Sequence, residues 1–400
     1  MKFSKYCAGS KATLICLAAA LLLSAPMAKA IKIAHGPYLQ NVTDSSATVV
    51  WISDKPSIGW IELAPDDGTN YYACDRPKFF DVETGIKRTT RIHSVKLTSL
   101  RPGTRYRYRV YAKEVLSRGA ATGRYGAIAA LDVFSAKPPV FTTLDKNRKE
   151  TSFVVLNDIH QRDSLIEPML KQADFENRDM VIYNGDMVNA FNTDSILYKG
   201  FLDETVRVFA KEKPWYYVRG NHETRGQAAE TFHQYFCPRE PHLYFAWQQG
   251  PVYFIALDTG EDKPDDDIEY YGFNCYDDYR TEQARWLKGI VNSEAYKKAP
   301  FHVVVAHVPP ATSPDAWHGE IEVKEKFASI LNKADVDVMI CAHLHQFRYT
   351  PASADINFPV VVNSNNSTLY GETKDGKLHL HIADLKGRTL FDQTFNSHAR

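Results

Sequence analysis

Apolar and polar positions are arranged differently in two parts of the chain. From residue 31 to about 146, short runs such as Ala47–Ile52, Gly59–Leu63, Ile92–Leu97 and Tyr106–Tyr111 are rich in β-branched and aromatic residues. Several alternate apolar with polar positions, and turn residues separate them. Period-two alternation over short runs predicts half-buried strands of an all-β sandwich. Residues 117–130, with Gly and Ala scattered through them, read as a long hairpin insertion, and His93 as a residue on a sheet surface. Lys146–Glu150 is a short charged linker. Beyond it, unbroken apolar runs of strand length alternate with helix-like stretches at Ser164–Asn177, Ser195–Lys211, Thr281–Lys297 and Ile321–Asn332. In the third stretch Ala284, Leu287, Ile290 and Val291 recur at helical spacing and form one apolar face for the core. Such alternation predicts a layered α/β domain over 151–400, following the β-sandwich of 31–146.

The polar residues that end the apolar runs carry the chemistry. Phe153–Leu156 leads into Asp158 and His160, and Met180–Tyr183 into Asp186. Trp215–Val218 leads into Asn221, His222 and Glu223, Phe301–Val305 into His307, and Val338–Cys341 into His343 and His345. Ligands of open α/β sheets gather at the carboxyl ends of strands. One such ending means little, but five in order are hard to assign to packing. If Asp186 bridges, the seven side chains of Asp158, His160, Asp186, Asn221, His307, His343 and His345 supply four ligands to each of two metals. Imidazole and carboxylate donors suit iron, manganese or zinc, as divalent or trivalent ions, better than calcium or magnesium. The i, i+2 spacing of Asp158/His160 and of His343/His345 turns both donors of each pair to one side if the strand ends are extended.

These motifs resemble the calcineurin-like metallophosphoesterase superfamily, which carries D-x-H, G-D, G-N-H-[DE], a lone His and G-H-x-H in this order. Here they stand at Asp158/His160, Gly185-Asp186, Gly220-Asn221-His222-Glu223, His307 and His343/His345, with Ala342 where Gly is usual. The resemblance covers about residues 151–395. It implies one metal site of Asp158, His160, Asp186 and His345 and a second of Asp186, Asn221, His307 and His343. Two cations about 3.5–4 Å apart need a shared anion, clamp an in-line displacement and acidify water, so hydroxide is the expected nucleophile. The resemblance further gives His222 the role of general acid or stabilising cation, with Glu223 orienting its ring. Arg162 and Arg225 follow metal motifs and are candidates to fork phosphate oxygens. Asn189 and His318 are weaker candidates, and His302 reads as structural. The sandwich, from His35 to Val42 onward, resembles the N-terminal domain of purple acid phosphatases. Leu100–Tyr106 resembles the corner of fibronectin type III domains in which a tyrosine hydroxyl ties back to the backbone. Purple acid phosphatases take their colour from a tyrosine ligand three residues after the bridging aspartate. That position is Asn189 here, so no tyrosinate band is expected.

Residues 1–30 run from basic (Lys2, Lys5, Lys11) through apolar (Ala12–Leu23) to Ala28-Lys29-Ala30, the order of a secretory leader cut after Ala30. The apolar run is too short to span a bilayer, which takes about 20 residues. A periplasmic or secreted protein without a transmembrane segment is therefore expected. The full chain has 48 Lys+Arg and 48 Asp+Glu, and removing a leader with lysines and no acids leaves it mildly acidic. With no basic stripe, the charge gives no support for a nucleic-acid partner. Of Cys74, Cys237, Cys275 and Cys341, the pair Cys237/Cys275 is the first to test as a disulfide, while Cys341 lies in an apolar run. The reading is an exported two-metal hydrolase of small-molecule phosphate mono- or diesters. Its substrate choice would lie in loops Glu261–Asp278 and Thr312–Glu320. The competing reading is a non-catalytic exported binding or adhesion module with a structural metal centre. A complete donor set argues against it, because buried unpaired donors are costly to keep.

Overall fold

Strand-forming sequence and turn chemistry account for the first half of the molecule, with one difference from the pattern. The structure, a computed structural model, describes residues 29–132, 135–270 and 272–397. The leader expected at residues 1–30 lies outside these apart from its last two residues. The runs Ala47–Ile52 and Gly59–Leu63 belong to one 19-residue strand, Ala47–Pro65. Its first part pairs with Ile33–Gln40 and Thr90–Leu97, its second with Lys78–Phe80 and Arg105–Arg118. The register breaks between Ile52 and Ser57, around Pro56, which has no N–H to give to a ladder. Arg105–Arg118 turns back into Gly123–Ala130 through a loop closed by the Gly119 N–H on the Thr122 carbonyl at 2.8 Å, forming the expected hairpin. At the corner, the Tyr106 hydroxyl accepts the Arg101 N–H at 2.9 Å.

His93 is not on a surface. It is fully buried, and its ring stacks on Trp51 at 5.1 Å. Nε2 meets Ser57 Oγ at 2.7 Å and Nδ1 meets Asp81 Oδ2 at 3.3 Å. Burial lowers its pKa, against the pull of Asp81. Alternation alone did not reveal a polar inward face, because His93 is satisfied by buried polar neighbours instead of water.

The second half holds two six-stranded sheets. In the first, Ser152–Leu156, Met180–Asn184 and Trp215–Val218 run parallel. An antiparallel meander of Ser367–Lys374, Lys377–Asp384 and Thr389–Asn396 joins at Ser152–Leu156. In the second, Val252–Leu257, Phe301–Ala306, Val338–Cys341 and Val360–Val362 run parallel, edged by Phe245–Gln249 and Arg348–Thr350. The inner strands are largely apolar because both faces are buried, His302 within Phe301–Ala306 being a polar exception. Val303 and Val305 join the core shared with the first sheet, while Val304 and Ala306 join a second core on the other face. Leu287 is buried in that second core, with Ala284, Ile290 and Val291 packed against it.

Helical segments occupy the expected stretches but are interrupted. The first is an α-helix of Ile166–Gln172 between short 3-10 turns, ended by Asp174 at φ +52°. The second, from Asp194, includes π-helical turns Tyr198–Leu202 and Val206–Ala210. The third divides into Tyr276–Val291 and Glu294–Lys298, because Ser293 starts a new helix by accepting the Tyr296 N–H. Asp265, the first of three consecutive aspartates, accepts the N–H groups of Tyr276 and Asp277 at the start of that helix. Cys237 is buried and Cys275 exposed, and both are free thiols, so the suspected disulfide is absent. Cys341 is a buried free thiol, as its apolar context suggested.

Candidate metal centre

The parallel strands of both sheets deliver their terminal residues to one place. Asp158 and His160 follow Ser152–Leu156, Asp186 follows Met180–Asn184, and Asn221 follows Trp215–Val218. His307 follows Phe301–Ala306 in the second sheet, and His343 and His345 follow Val338–Cys341. Asn184 stitches the sheets together: its Nδ2 donates to the Ala306 carbonyl at 3.1 Å, and its carbonyl accepts from His307 Nδ1 at 2.8 Å. With Nδ1 committed, His307 aims Nε2 inward, 3.1 Å from Asp186 Oδ2.

Two clusters result. Donor atoms of Asp158, His160, Asp186 and His345 lie within 4.8 Å of one another, as do those of Asp186, His307 and His343. Asp186 belongs to both. Asn221 Oδ1 completes the second cluster, 3.2 Å from His307 Nε2 and 3.2 Å from His343 Nδ1. Hydrogen bonding alone would turn this amide round, pointing Nδ2 at Asp186 and the two histidines and Oδ1 at Arg225 Nη2. A cation at their centre would instead favour the oxygen turned inward. Asp158 Oδ1 makes the same point: it is buried, and among the described residues no well-formed hydrogen bond reaches it, His345 Nε2 standing 3.3 Å away. A buried carboxylate oxygen without a proton donor is costly unless a cation meets it. His343 is held near 4 by burial and by neighbouring His307, so its imidazole is a neutral donor at physiological pH.

The backbone at these residues is unusual. Asp158, His160, Asp186, His343 and His345 all have φ between +49° and +72°. The paired donors therefore converge through left-handed turns and not through the extended strand ends that their spacing suggested. Non-glycine residues there cost about 1–3 kcal/mol each and cluster at functional sites. Local hydrogen bonds hold the turns. The N–H groups of Asp158, His160 and Gln161 donate to the carbonyls of Gly185, Asp186 and Met187, each at 2.9 Å. Gly185 (φ +82°) and Gly220 are required by contact as well: a Cβ would lie 2.4 Å from His307 Nδ1 in the first case and 2.2 Å from Asp186 Oδ1 in the second. Ala342 keeps φ outside the left-handed region, so its methyl group is accommodated where the family pattern has Gly.

The other sequence candidates divide. His222 Nδ1 donates to the Asn189 carbonyl at 2.7 Å, leaving Nε2 3.8 Å from Asp186 Oδ2. Glu223 does not orient that ring. Fully buried, it accepts the N–H groups of Gly220, Asp186, Met187 and Val188 at 2.8–3.2 Å and the Tyr217 hydroxyl at 2.9 Å. It is a positioning residue for the Asp186 turn. Arg162 is spent on the carbonyls of Asp158, Ile159 and Asn365 and on Asn366, so it offers no fork. Arg225 grips both Glu261 oxygens at 2.8 Å; its Nη2 also lies against the Asn221 amide, and its Nη1 is 3.4 Å from His222 Nε2. His302 ties two backbone carbonyls, as a structural histidine does. His318 bonds Asp277 at 2.7 Å, and with Glu322 the three cluster. Arg280 and Lys326 already supply their positive charge.

Two contributors were underrated or missed. Asn189 matters more than its sequence context suggested: Oδ1 accepts from His160 Nδ1 at 3.0 Å while its carbonyl holds His222. Asp262, in a loop without a motif, lies 3.5 Å from His343 Nε2, and burial with neighbouring Glu261 raises its pKa to about 7. No local signal marks it, since only the fold brings that loop to His343.

Comparison with known proteins defines the class. Residues 151–347 match the calcineurin-like phosphoesterase family and residues 36–122 the N-terminal domain of purple acid phosphatases. The chain is therefore similar over these residues to the calcineurin-like metallophosphoesterases, in the branch that carries this N-terminal domain. Within that branch it is similar to purple acid phosphatase 21 of Arabidopsis thaliana, 26% identical over 69% of this chain and 59% of the relative. Purple acid phosphatase 22 of the same plant is 26% identical over 70% and 57%. The chain thus spans less than two thirds of the length of these relatives. The purple acid phosphatase from yellow lupin seeds has the same fold, with a TM-score of 0.63 at 14% identity, over 90% of this chain and 73% of that one.

Proposed function

We propose that this protein is an exported phosphoesterase that hydrolyses small phosphate esters at a two-metal centre. The observation that carries the reading is the pair of donor clusters sharing Asp186. Asp158, His160, Asp186 and His345 would hold one cation and Asp186, Asn221, His307 and His343 the other. Bound there, the cations would neutralise phosphate charge and acidify water. The chain's own part is to hold the ester and manage the proton. His222, fixed at Nδ1 by Asn189, presents Nε2 toward the centre to protonate the leaving oxygen or to stabilise charge as a cation. Arg225 Nη1 adds positive charge beside it. Export rests on the leader pattern of residues 1–30, and no helix among the described residues is long and apolar enough to cross a membrane. The Tyr106 corner supports a fibronectin type III-like reading of the N-terminal sandwich.

Metal analysis combined with turnover of an aryl phosphate monoester and diester tests this. Two metal ions per chain and chelator-sensitive hydrolysis are expected. His222→Ala should keep both ions and lose about 10²–10⁴-fold in kcat. Full metal loading with no turnover of either ester would favour the structural-metal binding module, and full activity in the His222 variant would remove its assigned role.

A further inference from the structure

Beside the metal centre, on the far side of Arg225, lies a cavity of about 620 Å³ lined by Arg225, Gln227, Tyr270, Phe273, Asn274 and Tyr276, among others. Its size is that of an ordinary small-molecule site. Its position follows from short steps. Asp186 Oδ2 is 3.8 Å from His222 Nε2, and His222 Nε2 is 3.4 Å from Arg225 Nη1, in the cavity wall. In an in-line displacement the leaving group departs on the side away from the attacking water. If His222 serves the leaving oxygen, the alcohol part of the ester lies beyond His222, toward this wall.

The lining says what that alcohol is. Phe273 is 89% exposed, and nearby Ile268 is 80% exposed. At the cavity edge, beside Tyr270 and Tyr276 of its wall, the Phe273 ring offers a ligand an aromatic surface to cover. Tyr270 stands against the Arg225 guanidinium, 5.4 Å from carbon to ring centroid, which fixes its plane. Glu230 is exposed in the lining and disfavours further anionic groups, while Glu269 is paired with Lys263.

We infer that this cavity binds the alcohol part of the ester, and that the preferred alcohol carries a planar, uncharged aromatic ring. This rests on the phosphoesterase reading for its role in turnover but not for binding, so two measurements separate them. The first compares kcat/KM for 2-naphthyl phosphate and glycerol 3-phosphate in the metal-loaded wild type and in Phe273→Ala and Tyr270→Ala. The naphthyl-to-glycerol ratio should fall about tenfold in each variant, chiefly through KM, given the typical worth of ring stacking. The second titrates adenosine into the same proteins by calorimetry. Wild type should bind it, and Phe273→Ala should bind about tenfold more weakly. An unchanged ratio together with unaltered or absent adenosine binding would overturn the inference. Absence of all turnover would sink the phosphoesterase reading alone and leave adenosine binding to decide the cavity.

Discussion

Asn189 shows how one residue changes the chemistry a conserved architecture can support. It occupies the position at which purple acid phosphatases place a tyrosine ligand, and it orients His160 and His222 through its side chain and its carbonyl. A neutral imidazole at His160 stabilises ferric iron less than an anionic phenolate does, which favours divalent metals at the first cluster. The neighbouring tyrosines do not substitute. The Tyr183 hydroxyl bonds Thr205 Oγ1 at 2.9 Å, and the Tyr217 hydroxyl donates to Glu223 at 2.9 Å. Burial raises both phenols far above their ordinary pKa. Protein loaded with iron under air should therefore show no intense tyrosinate-to-iron band in the visible. A purple band that vanishes on mutating Tyr183 or Tyr217 would place a phenolate on the metal after all.

At the scale of elements, strand ends were legible and turns were not. Each of the five apolar runs forms a strand, because positions buried on both sheet faces leave an unbroken apolar signature. The left-handed turns after them depend on partners remote in sequence, and Glu223 is the plainest case. Its carboxylate gathers four backbone N–H groups, three of them from residues 186–188. Glu223→Ala would leave those donors buried without an acceptor and should lower the unfolding free energy of the metal-free protein by about 4 kcal/mol. Denaturant melts with chelator present would read this directly. A loss below about 1 kcal/mol would mean that water or another group replaces the carboxylate. Metal affinity should fall as well, since the Asp186 turn feeds both clusters.

Across the whole molecule, the two halves are joined by a continuous core and by polar ties. Apolar residues of both halves belong to one buried cluster, with Tyr38 6.0 Å from Trp215. The Tyr38 hydroxyl donates to the Tyr235 carbonyl at 3.0 Å, and the Tyr216 hydroxyl to that of Val42 at 2.7 Å. Asp81, fully buried beside His93, is met by Arg239 from the other half and more distantly by Arg88 at 3.5 Å. Removing one partner of a buried pair costs about 3–5 kcal/mol because the remaining charge is left unmatched. Arg239→Ala should lower the melting temperature while unfolding stays a single calorimetric transition. Separate transitions, with only one displaced, would show that the halves melt independently.

The order and type of the donors, the strands that present them, and the change from alternating to unbroken apolar runs are set by the sequence itself. They follow from period and residue chemistry, which act locally. Tertiary structure decided the rest. It buried His93 against Ser57 and Asp81, turned Glu223 away from the histidine ring toward the Asp186 turn, and committed Arg162 to carbonyl oxygens. It also brought Asp262 to His343 and opened the cavity behind Arg225. These outcomes depend on which groups meet across elements far apart in the chain, and the free energy of a buried polar group is set by the partner it finds there.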